Sequence, residues 1–307
     1  MTIRIGTRKS QLATWQANWV AERLASLGHP CELVFITTEG DRNLAPLAAI
    51  GGQGLFTKAL QNALREGEVD LAVHSLKDLP TDPTPGLVHA ASPEREEPFD
   101  AFLSAKWPSL HALPVGAKIG TGSLRRQAQL KFRRPDLVCE DVRGNLDTRI
   151  RKMEEGEYDA ILLASAGLRR LGWEDRIRSV FDPSTLVPAV GQGALGLECR
   201  ESDASTIAAV RKLNHGPTYA CVTAERMLLR TMRAGCLAPL GALCTQANGR
   251  LDLTAVVLDP QGKRRVDYVA SGSADDPEAL GASAAEALLA AGAAELIATA
   301  RFVNPAG

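Results

Sequence analysis

The residues of this sequence that could do chemistry are a loop cysteine, an acid beside a lysine, and two segments rich in serine and arginine. Cys236 stands in RAGCLAPLGA, where Gly235 and Pro239 predict a loop. A small buried thiol is one interpretation of such a cysteine. The other is a nucleophile or attachment point, which requires exposure and positive neighbours such as Arg230 and Arg233. The residues alone leave both alternatives open.

Lys77 and Asp78 follow the apolar segment VDLAVHS, within the sequence HSLKDLP. An acid beside a lysine at the carboxyl end of a strand stands where the sites of α/β proteins usually lie. The alternative is a surface ion pair at a turn, which contributes little to stability. His74, in the same segment, is more often a packed side chain than a catalyst. The pair is therefore a candidate for acid–base or electrostatic chemistry.

Two segments of similar sequence, RIGTRKSQL and KIGTGSLRR, each end a predicted strand and begin a predicted helix. Free backbone N–H groups at the start of a helix attract anions, and adjacent arginines strengthen such a site. The alternative is that Ser10 and Ser123 only cap their helices. Because the motif occurs twice, we favour a shared anionic ligand. The candidate groups are Arg8, Ser10, Thr121, Ser123, Arg125 and Arg126.

Arginine dominates the basic residues, with 26 arginines and 9 lysines in the chain. Between Lys118 and Arg151, nine basic residues stand among four acidic ones. Genomic bias and solvated faces are one explanation, and a site for several carboxylates or phosphates is the other. Arg143 and Arg149 around a turn at Gly144, and Arg170 after a later strand, extend this basic set. A net charge of −1 argues against general nucleic-acid binding.

Strands and helices alternate over the first two thirds of the chain, which predicts α/β units with parallel strands. The segment EGEVDLAVHS recurs later as EGEYDAILLAS, in the same order as the two strand–helix motifs. We therefore predict two related α/β domains that face each other across a cleft. The segment VGQGALGLECR indicates a strand that returns to the first domain.

Beyond about Pro217, the pattern changes to strands followed by a helix, which is typical of a small α+β domain. RLDLTAVVL and RRVDYVASG predict a hairpin, and ASAAEALLAAGAAELIATA predicts an alanine-rich helix broken at Gly292. The expected domains are 1–94 with 190–214, then 95–189, and finally 215–307.

Several classes of protein are excluded by what the sequence lacks. Six scattered cysteines without CxxC, and no histidine pair at zinc spacing, predict reduced thiols and no metal site. Without a signal region or a long apolar run, we expect a cytoplasmic protein with no membrane partner. Gly191–Gly196 matches GxGxxG but lacks a preceding strand and a following helix, so we reject dinucleotide binding. We interpret the aperiodic segment Gly40–Gly54 as a lid, the alternative being a disordered insertion.

Long motifs in a consistent order resemble the porphobilinogen deaminase (hydroxymethylbilane synthase) family over essentially the whole chain. They are IGTRKSQLA, GGQGLFTK, VDLAVHSLKDLP, IGTGSLRRQAQL, VRGNLDTR, EYDAILLASAGLRRLG, VPAVGQGALGLECR and the AGC-x-x-P loop. The resemblance implies condensation of four porphobilinogen molecules, head to tail, into the linear tetrapyrrole hydroxymethylbilane with release of ammonia. It also implies a monomer with two periplasmic-binding-protein-like α/β domains and a small α+β C-terminal domain.

The same resemblance implies roles for individual residues. Cys236 would carry a dipyrromethane cofactor through a thioether, and Asp78 would be the catalytic acid that stabilises positive charge on the pyrroles. The implied cofactor-binding residues are Ser75, Lys77, Thr121, Ser123, Arg125, Arg126, Arg143 and Gly144. The implied substrate-binding residues, which hold the carboxylates of porphobilinogen, are Arg8, Ser10, Arg149, Arg170 and Gln192.

Three positions depart from the family pattern and concern the finer binding contacts. Lysine often stands where this chain has Gln53, serine where it has Gly122, and a polar residue where it has Leu237. The alternative function is a two-lobed protein that binds anionic solutes without catalysis. Such a protein would need neither Cys236 nor a third domain.

Overall fold

The computed structural model describes residues 2–38, 57–235 and 238–303, with the side chains of 301–303 excepted. The predicted lid at Gly40–Gly54, which includes Gln53, lies outside the described residues, and so do Cys236 and Leu237. The described chain forms two five-stranded sheets and one three-stranded sheet, with helices packed against them. The predicted fold class, two α/β units and a small α+β unit, is confirmed.

Short strands alternate with helices through the first two sheets, and longer strands build the third. The strands are β1 (Ile3–Thr7), β2 (Cys31–Phe35), β3 (Leu71–Ser75), β4 (Leu87–Ala91), β5 (Asp100–Leu103), β6 (Lys118–Gly120), β7 (Val138–Glu140), β8 (Ala160–Ala164), β9 (Ser179–Val180), β10 (Leu195–Arg200), β11 (Leu240–Ala247), β12 (Arg250–Leu258) and β13 (Arg265–Ser273). The helices are α1 (Gln11–Ser26), α2 (Lys58–Arg65), α3 (Leu124–Arg133), α4 (Leu146–Glu154), α5 (Ser165–Arg170), α6 (Ala204–Arg211), α7 (Gly216–Thr231), α8 (Pro277–Ala290) and α9 (Ala293–Val303).

The first sheet has the strand order β2-β1-β3-β10-β4, and we call it, with its helices, lobe 1. Strand β1 is parallel to β2 and β3, whereas β10 is antiparallel to β3 and β4. Helix α1 packs on this sheet because Val20 and Leu24 form a buried stripe in one core with Ile5. Each such side chain contributes roughly 1.5–3 kcal/mol when fully buried. Ser10 caps α1 by accepting a hydrogen bond from the Ala13 N–H at 3.4 Å.

The second sheet, with its helices, is lobe 2 and repeats the plan of the first. Its order is β7-β6-β8-β5-β9, with β6 parallel to β7 and β8, and β5 antiparallel to β8 and β9. Strand β6 thus takes the place of β1, and β8 that of β3, which confirms the internal repeat. Strand β10 follows lobe 2 in the chain but lies in lobe 1. Two crossover segments, 92–99 and 181–194, therefore join the lobes.

The third unit pairs β11, β12 and β13 in an antiparallel sheet that shares one core with α7, α8 and α9. In the hairpin turn, the Asp259 carboxylate accepts from the Arg264 N–H at 2.6 Å, and Gly262 has a φ of 68°. The alanine-rich helix breaks at Gly292, which has a φ of 93°, as the sequence predicts. Among the described helices none alone has the length and apolarity to span a membrane; α8 and Ala293–Ala300, bent by 84°, meet those criteria only as a pair.

Glu225, on α7, ties the third unit to both crossovers. Its buried carboxylate accepts hydrogen bonds from Arg95 Nη1 at 2.6 Å, the Gly191 N–H at 2.7 Å and the Cys244 N–H at 2.8 Å. Arg95 belongs to the first crossover, Gly191 to the second, and Cys244 to β11. The third unit is therefore hydrogen-bonded to both of the segments that join the two lobes.

Candidate functional site

A cavity lies between the lobes, and Gly191, Gly193 and Ala194 of the second crossover are among the residues that line it. The polar side chains that line it are Gln16, Ser75 and Lys77 from lobe 1, with Arg126, Arg149 and Arg170 from lobe 2. The cavity thus brings together several residues that the sequence placed at strand ends and helix starts.

Gln16 is a cavity residue that sequence reasoning missed. It lies on α1, only 3% of its surface is exposed, and its Nε2 donates to Ser75 Oγ at 3.0 Å. Ser75 ends β3, so this contact joins a helix to the strand end that precedes Lys77. The available signal was a glutamine within the apolar stripe of an amphipathic helix, where a polar group needs a partner.

Lys77 and Asp78 form a single helical turn after β3, beside the cavity. Lys77 lines the cavity, and burial lowers the pKa of its ammonium to about 8; the charge of Arg126 acts in the same direction, and that of Asp78 opposes it. Asp78 is exposed, and its charge acts on both Lys77 and Arg149. The acid is therefore accessible at the rim of a cavity whose inner groups are cationic.

Arg125 and Arg126 are buried and share the carboxylate of Asp100, a residue that sequence reasoning did not identify. Asp100 accepts from Arg125 Nη1 at 2.6 Å, Arg126 Nη2 at 2.6 Å and Gln192 Nε2 at 2.9 Å. Burial alone would raise the pKa of Asp100, but the two guanidinium groups hold it well below its usual range. Arg126 lines the cavity, whereas Arg125 also donates to Val187 O of the second crossover at 2.8 Å.

Thr121 and Ser123 lie in the turn between β6 and α3, and their hydroxyls bond locally. Ser123 Oγ caps α3 by accepting from the Arg126 N–H at 3.5 Å, and Thr121 Oγ1 accepts from the Ser123 N–H at 3.3 Å. A Cβ on Gly122 would meet only Val142 O, at 3.6 Å. The serine that is usual in the family would therefore fit here, so the departure removes a hydroxyl without changing the backbone.

The turn from Arg143 to Arg149 depends on Gly144. Its φ of +111° favours glycine, and a Cβ there would lie 2.7 Å from Thr148 Cβ. Gly144 O accepts from Arg149 Nε at 2.7 Å, which fixes the arginine beside the cavity. Burial, with the charges of Arg126 and Arg143, lowers the pKa of Arg149 to about 10. Burial also lowers the pKa of Arg143, whose Nε is buried with no hydrogen-bond partner in the described chain.

Arg170 of lobe 2 binds the second crossover, and Gln192 is itself part of that crossover. Arg170 Nη2 donates to Gly193 O at 2.6 Å, and burial lowers the pKa of Arg170 to about 10. Gln192 is fully buried and uses its Nε2 on Asp100 and on Pro98 O, at 2.9 and 2.6 Å. Gln192 therefore binds the carboxylate that Arg125 and Arg126 share, and it is not among the residues that line the cavity.

Arg8 and Ser10 follow β1, at the same edge of the sheet as Ser75, because β1 and β3 are parallel. Arg8 is half-buried, and Ser10 caps α1. Neither residue lines the cavity.

The strand that follows Cys236 in the chain packs beside the second crossover, and the cysteine itself lies outside the described residues. Strand β11 begins shortly after it, and a Cβ on Gly241 would lie 2.6 Å from Val187 O. The same carbonyl accepts a hydrogen bond from Arg125. The start of β11 is therefore in contact with the crossover to which Arg125 is hydrogen-bonded.

Two α/β lobes around a cavity lined by several cations, with a third unit packed against the segments that join the lobes, define the class of this protein. Comparison with known families makes this specific. The model described as "Porphobilinogen deaminase, dipyromethane cofactor binding domain" matches residues 3–208, and that of the "Porphobilinogen deaminase, C-terminal domain" matches 219–290. The chain belongs to the porphobilinogen deaminase family, as the sequence motifs indicate.

Curated relatives agree over nearly the full length. The porphobilinogen deaminase of Methylobacillus flagellatus is 47% identical over 97% of both chains, and that of Trichlorobacter lovleyi is 49% identical over 94% of both. The activity is therefore that of a hydroxymethylbilane synthase, a transferase of tetrapyrrole biosynthesis that uses porphobilinogen and a dipyrromethane cofactor. The alternative of a non-enzymatic solute-binding protein is not favoured.

Solved structures of two-lobed binding proteins show a distant likeness. A periplasmic substrate-binding protein of an ABC transporter from Coxiella burnetii is 15% identical, with a TM-score of 0.46, covering 73% of this chain and 95% of that one. The methionine-binding protein MetQ is 14% identical, with a TM-score of 0.46, covering 71% and 90%. At such scores, nothing about the ligand of this chain follows.

Proposed function

We propose that the cavity between the lobes is where this chain assembles hydroxymethylbilane, on a dipyrromethane held by Cys236. The observation that carries the proposal is the concentration of cations: Lys77, Arg126, Arg149 and Arg170 line one small space. Each porphobilinogen brings an acetate and a propionate, so a lengthening product accumulates carboxylates. Buried anions are stable only where fixed cations and hydrogen-bond donors compensate them.

The donors present fit such a ligand. Arg125 Nε and Arg143 Nε are both buried with no hydrogen-bond partner among the described residues. Leaving a buried donor unsatisfied costs about 1–3 kcal/mol, so each is poised to gain from a carboxylate. Guanidinium groups also match carboxylates in geometry. When bound, dipyrromethane supplies the pyrrole chain to which porphobilinogen units are joined.

The lowered pKa values of the cavity cations support carboxylate binding. Burial lowers the pKa of Lys77 to about 8 and that of Arg149 to about 10, because each charge has lost water without gaining a full counter-charge. A ligand carboxylate would supply that counter-charge and restore both values. Ser75, Thr121, Ser123 and Gly144 then shape the pocket, while Arg8, Ser10 and Arg170 hold the carboxylates of the incoming substrate.

Asp78 is proposed as the catalytic carboxylate. It is exposed, and its negative charge interacts favourably with two of the cavity cations, Lys77 and Arg149. Its oxygens can accept hydrogen bonds from pyrrole N–H groups and stabilise the positive charge that develops when ammonia leaves. The same oxygens can take up a proton after the new bond forms.

We further propose that the enzyme works as a monomer in the cytoplasm. The monomeric state is what the resemblance to the family implies. The described cysteines, Cys31, Cys139, Cys199, Cys221 and Cys244, are free thiols, which is typical of a reducing compartment.

Intact-mass measurement of purified protein tests the attachment at Cys236. We expect the wild type to carry the mass of dipyrromethane and the Cys236→Ser variant to lack it. Cys139→Ser, which changes a half-buried thiol of lobe 2, is the matched control and should carry the normal adduct. An adduct on Cys236→Ser would place the attachment elsewhere and refute this part of the proposal.

A further inference from the structure

We infer that Asp100 is a positioning residue, which draws the guanidinium groups of Arg125 and Arg126 together and decides which of their edges face a ligand. Successive residues of a helix point about 100° apart, so two adjacent arginines do not converge unaided. Here both reach one buried carboxylate. The inference rests on the proposed function, in which these arginines bind carboxylates.

The bonds to Asp100 differ between the two arginines. Asp100 binds Arg125 through Nη1 and Nη2, at 2.6 and 3.2 Å, and this leaves the Nε edge of Arg125 without a partner in the described chain. It binds Arg126 through Nε and Nη2, at 3.0 and 2.6 Å, while Leu162 O accepts from Nη1 at 2.8 Å. One carboxylate therefore presents two different guanidinium edges from neighbouring positions of α3.

Asp100 also sets the charge of the cluster. One carboxylate against two guanidinium groups leaves a single net positive charge for a ligand. Without it, Arg125 and Arg126 would be two buried like charges side by side, and repulsion would turn them apart. The specific alignment of both arginines thus depends on an anion that does not itself line the cavity.

The location of Asp100 adds a mechanical consequence. It begins β5, directly after the first crossover, and Gln192 of the second crossover donates to the same carboxylate at 2.9 Å. When two lobes turn about their connections, the connections move least. Asp100 therefore holds the arginines at the segments that join the lobes, so that a turn of one lobe against the other would change their position relative to the start of β11 only a little.

Asp70 offers a matched control within the same chain. It is also buried, with 1% exposed, and it accepts from Arg4 Nη2 and Arg200 Nη2, at 2.8 Å each. This cluster lies in lobe 1, and none of its three residues lines the cavity. Perturbing it changes a buried aspartate with two arginines but leaves the proposed binding groups in place.

The test compares Asp100→Glu with Asp70→Glu. Each keeps the negative charge and moves the carboxylate by one methylene, and misplacing a binding group by about 1 Å can cost up to roughly 100-fold. We expect both variants to fold, judged by melting temperature. Asp100→Glu alone should show incomplete dipyrromethane loading by intact mass, and in its loaded fraction a KM for porphobilinogen raised about tenfold or more with a smaller change in kcat. Wild-type loading and KM in Asp100→Glu would overturn the inference.

A charge-balanced double variant keeps the test decisive if Asp100→Glu is insoluble. Asp100→Asn with Arg125→Gln retains the net charge of the cluster and removes the anchor of Arg126. A higher KM than in Arg125→Gln alone supports the inference, and equal values overturn it.

Arg126→Gln separates this question from the proposed function. Normal loading and turnover in Arg126→Gln refute carboxylate binding itself, whereas a defect there with normal Asp100 variants refutes only the positioning role.

Discussion

Replacing Lys77 by methionine should stabilise the cofactor-free protein while weakening its binding of ligand. Burial lowers the pKa of Lys77 from its ordinary 10.5 to about 8, so the charged ammonium is less stable in the folded chain than in water. Methionine keeps a long unbranched stem without the charge. The change therefore removes an unfavourable desolvation and, with it, a proposed partner of the ligand carboxylates.

The size and pH dependence of the effect follow from linkage. The difference between the ordinary pKa of 10.5 and the folded-state pKa of about 8 corresponds to at most about 3 kcal/mol in the free energy of unfolding. Solvent screening at the exposed part of Lys77 makes the effect smaller than this limit. Below pH 8, Lys77 is charged in both states and the full cost is present. Between pH 8 and 10.5 the folded chain releases its proton first, so the wild type gains stability as the pH rises. The advantage of methionine should therefore vanish by about pH 10.5.

Melting temperatures between pH 6 and 10.5 measure this in the Cys236→Ser background, where no cofactor carboxylate compensates Lys77. At about 2–4 °C per kcal/mol, Lys77→Met should raise the melting temperature by up to roughly 10 °C at pH 7. Lys106→Met, which changes an exposed lysine of lobe 2, should have little effect at any pH. A difference that is absent at pH 7, or that stays constant to pH 10.5, would refute the reasoning.

Three further changes test the site and its supports. Asp78→Asn should keep the wild-type melting temperature yet lower kcat at least about 100-fold. The control Asp82→Asn, four residues on and 80% exposed, should leave kcat unchanged, and equal kcat values in the two variants would contradict the catalytic role. Glu225→Gln leaves Arg95 without its counter-charge and should lower the free energy of unfolding by about 3–5 kcal/mol in urea titrations, and a loss below about 1 kcal/mol would show the pair to be dispensable. Gly144→Ala forces a side chain to within 2.7 Å of Thr148 and should raise the KM for porphobilinogen, which an unchanged KM would disprove.

The elements that depend on local sequence could be predicted because their signals are local. Apolar periodicity predicted α1. The repeated Ile-Gly-Thr predicted that β1 and β6 each end just before a helix. His74 is packed, as is usual for such a histidine, with Nε2 at 3.1 Å from Glu198 Oε2. The strand after Gly193, where a dinucleotide motif needs a helix, agrees with rejecting that motif.

The supporting acids could not be predicted, because their partners are distant in sequence. Glu225 and Arg95 are 130 residues apart, and Asp100 is 25 residues from Arg125. Each acid stands alone in the sequence, without periodicity or motif, and only the crossing of the chain between the lobes brings the pairs together. What the sequence showed was the excess of arginine; the carboxylates that orient those arginines became apparent only in three dimensions.

Helix capping and anion binding were alternatives for Ser10 and Ser123, and the geometry separates the two tasks. Both hydroxyls accept hydrogen bonds from their own helices, Ser10 from the Ala13 N–H and Ser123 from the Arg126 N–H, so a ligand carboxylate would have to displace a cap to reach these two N–H groups. Arg126 and Arg149 face the cavity without that conflict. Affinity for carboxylates should therefore depend on the guanidinium groups and on the residues that orient them, Asp100 and Gly144, more than on the serine hydroxyls. By the same reasoning, the absent hydroxyl at Gly122 is compatible with an intact site.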